Sequence, residues 1–139
     1  TLIIRSPNAT RPWQHVLEPI NGYITLGANL YNKPKIYGGS WNFGPSTSEV
    51  RTVQDVANDI ITYIGRGSIK IDKNQKYPHE ANLLQLNCDK ARQILGWSPR
   101  WNSKKTISYT AKWYKVFLNG GDIESITKKQ INDFFKELS

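Results

Sequence analysis

The sequence predicts a small mixed α/β domain built around one hydrophobic core. Short strand-like runs alternate with stretches in which apolar residues recur every three or four positions, the pattern of strands separated by amphipathic helices. The chain has 139 residues, 38% hydrophobic and 12% aromatic, enough for a single core and ordinary for a soluble globular protein. No apolar run approaches the roughly 20 residues of a membrane span, and Leu2-Ile3-Ile4 opens the chain like a strand instead of a signal peptide. The expectation is one domain over residues 1–139, soluble and cytoplasmic, with no membrane partner.

Residues 2–5 read as a strand and residues 11–16 as extended chain, because the position before Pro12 is pushed towards β or polyproline geometry. Glu18 reads as a helix N-cap with Pro19 at the first helical position. Leu17, Ile20, Ile24, Ala28 and Tyr31 then keep helical spacing, so this helix should run to about Tyr31 and stop before Pro34. Residues 40–43 suggest a short strand closed by Gly44-Pro45. Thr52 and Asp55 form a capping-box pattern ahead of Val53, Val56, Ala57, Ile60, Ile61 and Ile64, and Gly65 and Gly67 end that helix. Residues 68–72 follow as a brief strand and residues 73–80 as a polar loop, a kind of segment that often carries binding groups.

Asn87 should cap a short helix over residues 88–95, stopped by Gly96. Trp97 and Trp101 flank Pro99 and are expected to pack beneath the connection. Two last helices are expected near residues 103–118 and 127–138. Their apolar stripes are Ile107, Ala111, Tyr114 and Leu118, then Ile131, Phe134, Phe135 and Leu138.

Composition removes several function classes. Cys88 is the only cysteine, which excludes an internal disulfide framework and a thiolate metal cage, and the two histidines, His15 and His79, are too far apart for a metal-ligand spacing. The formal net charge is +8. Its lysines are scattered among apolar positions of the later helices, as on solvated helix faces, so no nucleic-acid partner is expected. The same surplus suits an anionic small-molecule ligand.

One segment stands out as a binding element. Arg11 sits between Thr10 and Pro12, two residues before Trp13, and an arginine held in this way presents paired planar donors to phosphate or carboxylate oxygens. The alternative for the same residue is a surface ion pair.

The run Ala9-Thr10-Arg11-Pro12-Trp13-Gln14-His15-Val16-Leu17-Glu18-Pro19 resembles a segment of the CDP-glucose 4,6-dehydratases, within the extended short-chain dehydrogenase/reductase family. Further blocks follow in the order seen in that family. They are Trp41-Asn42-Phe43-Gly44-Pro45, Pro78-His79-Glu80-Ala81, Lys90-Ala91 leading to Leu95-Gly96-Trp97-Ser98-Pro99-Arg100-Trp101, and Trp113-Tyr114-Lys115. The resemblance covers about residues 2–135 and corresponds to the C-terminal, substrate-binding part of such an enzyme, a small mixed α/β subdomain without the Rossmann core.

The resemblance implies a site and a division of labour. Arg11 corresponds to the arginine that grips the substrate diphosphate. Asn42 corresponds to an asparagine near the nucleotide or phosphate, with a cap on the Gly44-Pro45 turn as its alternative role. Lys76 and His79 stand in the loop that closes over the diphosphate, although lysine at 76 lacks the fork of the arginine common in relatives, and His79 could instead merely hold the loop. Arg5 corresponds to a strand position lining the base, or is a solvent-facing charge.

The intact enzyme would hold NAD and convert CDP-glucose to CDP-4-keto-6-deoxyglucose for deoxysugar and surface-polysaccharide (O-antigen, lipopolysaccharide) synthesis. It would be a homo-oligomer through the missing part. The glycine fingerprint for NAD is absent from this chain. The one Tyr-x-x-x-Lys spacing, Tyr31 to Lys35, is interrupted by Pro34. The chain alone is therefore expected to be inactive and not to bind NAD. A related nucleotide-sugar epimerase, dehydratase or reductase, and a non-catalytic binding module, are the alternatives.

Overall fold

The computed structural model describes residues 1–72 and 83–136. Strand β1 (Leu2–Ile4) and β2 (Thr10–Arg11) lead into helix α1 (Leu17–Asn32) and the single turn α2 (Pro34–Tyr37). A 3-10 turn at Thr47–Glu49 and strand β3 (Arg51–Thr52) precede α3 (Val53–Ile64), followed by β4 (Ile69–Ile71). The helices α4 (Asp89–Gln93), α5 (Ser103–Leu118) and α6 (Ile123–Lys136) complete the fold. There are two small sheets: β1 pairs in parallel with β4, and β2 pairs antiparallel with β3, with Arg11 opposite Arg51. The result is the small mixed α/β fold that the sequence predicts, with no Rossmann core among the described residues.

Helix ends follow local chemistry. The Thr52 hydroxyl accepts from the Asp55 N–H and the Asp55 carboxylate accepts from the Thr52 N–H, so the expected capping box is present on α3. Gly65 ends that helix at φ 86°, a left-handed conformation that costs little without a Cβ. The Asn102 side chain caps α5 by accepting from the Lys105 N–H at 2.9 Å. Tyr31 and Lys35 fall in different helices, because α1 stops at Asn32 and Pro34 starts α2.

Three expectations are corrected, and the orientation of α1 is added to them. Glu18 is not the N-cap of α1. The helix begins at Leu17, whose N–H donates to His15 Nδ1 at 3.3 Å, and Pro19 is its third residue, where an N–H has no helical acceptor in any case. Residues 40–43 form no strand, and Phe43 is buried in the core. The last helix starts at Ile123 and not Thr127, because Asp122 accepts from the Ser125 N–H at 3.0 Å and the Ser125 hydroxyl at 2.7 Å. The stripe Ile20, Ile24 and Tyr31 faces outward, with exposures of 42%, 63% and 89%, whereas the packed side of α1 carries Glu18 and Gly22.

The core has two centres. In one, the Phe43 ring meets Trp97 edge-on at 4.9 Å and lies directly over Gly22, together with Ala91, Leu26, Trp41 and Leu95. In the other, Trp101 packs against His15, Tyr109 and Phe134 at ring separations of 4.8, 4.5 and 5.1 Å. Trp97 and Trp101 are both buried, in line with the packing role expected of them. The centres are joined by the buried Glu18 carboxylate, which accepts from the Arg100 N–H at 3.0 and 3.1 Å and from the Trp101 N–H at 2.8 Å.

Candidate functional site

Arg11 ends a strand whose backbone is fixed from several sides. It pairs with Arg51 across the β2–β3 ladder, the Trp13 N–H donates to its carbonyl at 2.8 Å, and the Trp13 indole donates to the Arg51 carbonyl at 3.1 Å. Pro12 removes a donor and restricts the turn between them. On the other side of β2, Thr10 forms a parallel bridge with Leu83, where the described chain resumes. The Arg11 guanidinium donates from Nη1 to the Thr10 carbonyl at 2.7 Å, which draws the half-buried side chain back along its own strand.

This fixed arginine lines a cleft. Thr10 and Pro12 continue its wall, Pro45, Ser46 and Thr47 with Glu49 and Val50 form a second, and Leu84, Gln85 and Leu86 form a third. Arg51, across the ladder, is engaged by Asp59 at 2.7 Å, so two arginines can stand opposite one another without uncompensated repulsion. Glu49 does not simply cancel Arg11. Its carboxylate accepts from the Ser103 N–H at 2.7 Å at the start of α5, and that bond holds its carboxyl below the ordinary value. The lining brings Arg11 together with the hydroxyl residues Thr10, Ser46 and Thr47 around a space of about 20 Å³, a donor set that suits a single oxyanion.

The remaining sequence-predicted residues are placed differently. Asn42 is exposed and donates from Nδ2 to the Asn87 carbonyl at 3.1 Å, tying the segment that enters the second wall to the one that leaves the third. It stands beside the cleft and not in its lining. Arg5 is exposed just beyond β1 and also lies outside the lining. Lys76 and His79 lie outside the described residues.

His15, Glu18 and Gln130 were given no site role by sequence reasoning, and the structure buries all three around Trp101 and Tyr109, away from the residues that line the Arg11 cleft. His15 is buried, and that burial lowers its pKa below the ordinary 6.5, with Gln130 opposing the shift through a side-chain hydrogen bond. The imidazole is therefore neutral near pH 7, with Nδ1 as the acceptor that starts α1. The available signal was the compact Gln14-His15-Val16-Leu17-Glu18 run, polar residues where a helix enters a core.

The described residues do not fit the pyrophosphate of NAD. Such a group needs free N–H groups at a glycine-rich turn opening a helix. The first turn of α3 holds the Thr52–Asp55 box, that of α5 receives the Glu49 carboxylate, and that of α1 carries Glu18. Among the described residues no three His, Cys, Asp or Glu side chains gather as metal ligands, and no helix is long and apolar enough to cross a membrane.

No family model matches the chain. A CDP-glucose 4,6-dehydratase of Salmonella typhimurium is 38% identical over 133 residues, which is 96% of this chain and 37% of that protein. The chain thus spans little more than a third of the length of the curated relative it matches. The resemblance read from the motifs is borne out by this match: over nearly its whole length the chain is homologous to one portion of a CDP-glucose 4,6-dehydratase, consistent with the C-terminal portion.

Proposed function

We propose that this chain is the substrate-binding portion of an NAD-dependent CDP-glucose 4,6-dehydratase, which converts CDP-glucose to CDP-4-keto-6-deoxyglucose for deoxysugar and surface-polysaccharide synthesis. The observation that carries the reading is Arg11, held by the β3 ladder and Trp13 in the lining of a small cleft, within a chain 38% identical over its matched length to a CDP-glucose 4,6-dehydratase. Its guanidinium would grip the diphosphate, with Lys76 and His79 closing over it, Asn42 at the edge and Arg5 near the base. NAD, when bound, supplies the hydride acceptor and donor; it and the proton-transfer groups would belong to the rest of the enzyme. Contacts made here to a remote diphosphate would orient the hexose for chemistry performed there.

Calorimetric titration of the chain tests this. CDP-glucose should bind at least about tenfold more tightly than UDP-glucose or dTDP-glucose, a difference of about 1.4 kcal/mol, while NAD gives no binding heat and no dehydration is seen. Equal affinity for the three sugars would move the reading to another nucleotide-sugar enzyme. Firm NAD binding would overturn the division of labour.

A further inference from the structure

We propose that Arg51 is a second diphosphate-binding arginine, held by Asp59 and exchanged onto the substrate when it binds; the inference rests on the function proposed above. Arg51 stands directly opposite Arg11 in the β2–β3 ladder. Opposed residues of an antiparallel pair project from one face with Cβ atoms about 4.5–5.5 Å apart, so the two arginine side chains are rooted next to one another. Both backbones are fixed by Trp13, whose N–H donates to the Arg11 carbonyl at 2.8 Å and whose indole donates to the Arg51 carbonyl at 3.1 Å. Arg11, Glu49 and Val50 line the cleft, and Arg51, the next residue in the chain, does not. Its head is turned to α3, where Nη2 donates to the Asp59 carboxylate at 2.7 Å and Nε lies 4.0 Å from that of Asp55.

The charges favour this exchange. A nucleotide-sugar diphosphate carries one negative charge on each of two phosphoryl groups, and the space of about 20 Å³ beside Arg11 suits one of them. Among the described residues the lining holds no cation besides Arg11, so the second phosphoryl group needs a cation from just outside it. Arg51 is rooted at that place. Its present partner is a weak competitor: the side chains of Arg51 and Asp59 are 28% and 37% exposed, and ion pairs this open hold their partners by about fivefold or less. A guanidinium fork on phosphate oxygens makes paired, charge-assisted bonds and is the stronger contact. Asp55 does not compete, because its carboxylate accepts from the Thr52 N–H in the capping box. Asp59 offsets the charge of Arg51 opposite Arg11 until the second phosphoryl group does so.

Calorimetric titration of CDP-glucose into the parent chain, Arg51→Ala, Asp59→Asn and the double variant tests this. Arg51→Ala should weaken binding about tenfold or more, and Arg51→Lys should recover only part of the loss. Asp59→Asn breaks the same ion pair yet should tighten binding about two- to fivefold, because it releases the guanidinium to the ligand. An ion pair with a merely structural role would move both variants in one direction. In the Arg51→Ala background Asp59→Asn should change nothing further, since Asp59 acts through Arg51. Unchanged affinity in Arg51→Ala, weaker binding in Asp59→Asn, or tightening that persists in the double variant, the mark of a general charge effect, would each overturn the proposal. If Arg51→Ala does not fold, Arg51→Lys and Asp59→Asn carry the same opposition of sign. Parallel titrations with UDP-glucose separate the two readings. Opposite shifts found equally for both sugars, with no preference between them, keep Arg51 and remove the CDP-glucose reading; a CDP-glucose preference without opposite shifts removes the role of Arg51 alone.

Discussion

Replacing Glu18 by alanine should be among the most damaging single changes in this protein. Its carboxylate is fully buried and is the acceptor for the Arg100 and Trp101 backbone N–H groups at 2.8–3.1 Å. Hydrogen bonds to a charged group contribute about 1.5–3 kcal/mol each, and donors stranded without water carry the full cost of their desolvation. Two such donors give a loss of about 3–6 kcal/mol, a large share of the roughly 5–15 kcal/mol that holds a typical domain folded. Glu18→Gln keeps one acceptor oxygen but turns an amide NH2 towards a donor, so about 2 kcal/mol is expected. Urea denaturation followed by tryptophan fluorescence measures both, and Gln remains readable if Ala does not fold. A loss below about 1 kcal/mol in either variant, with unchanged m-value, would refute the view that this carboxylate joins the two core centres.

Arg11→Ala should weaken CDP-glucose binding by tenfold to more than a hundredfold, corresponding to about 1.5–3 kcal/mol for a charge-assisted contact, and Arg11→Lys should recover only part of it. Unchanged affinity in the alanine variant, measured beside an unchanged melting temperature, would sink the diphosphate assignment. Gly22→Ala would place a Cβ 2.4 Å from the Phe43 ring and should lower the melting temperature, whereas Gly27→Ala meets nothing within 4 Å and should raise it through helix propensity worth about 1 kcal/mol; equal shifts in thermal scans would contradict the packing. His15 stays neutral in the folded state below its ordinary 6.5, so the unfolded chain takes up the extra proton. Stability should be full above that pH and fall as pH drops below it, by at most about 1.4 kcal/mol per pH unit. Denaturation midpoints of His15→Asn should lack that slope between the histidine and carboxylate ranges.

Where the sequence carries local information, the fold follows it. The Thr52-x-x-Asp55 box, the stop at Gly65, the break at Pro34 and the full extent of α5 rest on interactions within a few residues of chain, which a linear pattern records. The site was legible to a lesser degree. Arg11 was singled out by Pro12 and Trp13, and the structure adds what holds it: Arg51 across the ladder and Leu83 beyond Thr10 are distant in sequence and leave no local trace.

The amino-acid sequence by itself determined a small mixed α/β domain, most helix termini, the packing role of Trp97 and Trp101, and the candidacy of Arg11. Only the tertiary structure decided which side of α1 is inside. Helical spacing marks Ile20, Ile24 and Tyr31 as an apolar face whatever covers it, but cannot say what does. The inner side was taken instead by Glu18 and Gly22, because a buried carboxylate can be satisfied by Arg100 and Trp101 from far along the chain, and a residue without a side chain lets the Phe43 ring lie against the helix. Burial is a property of both partners in a contact, and one partner's spacing records only its own half.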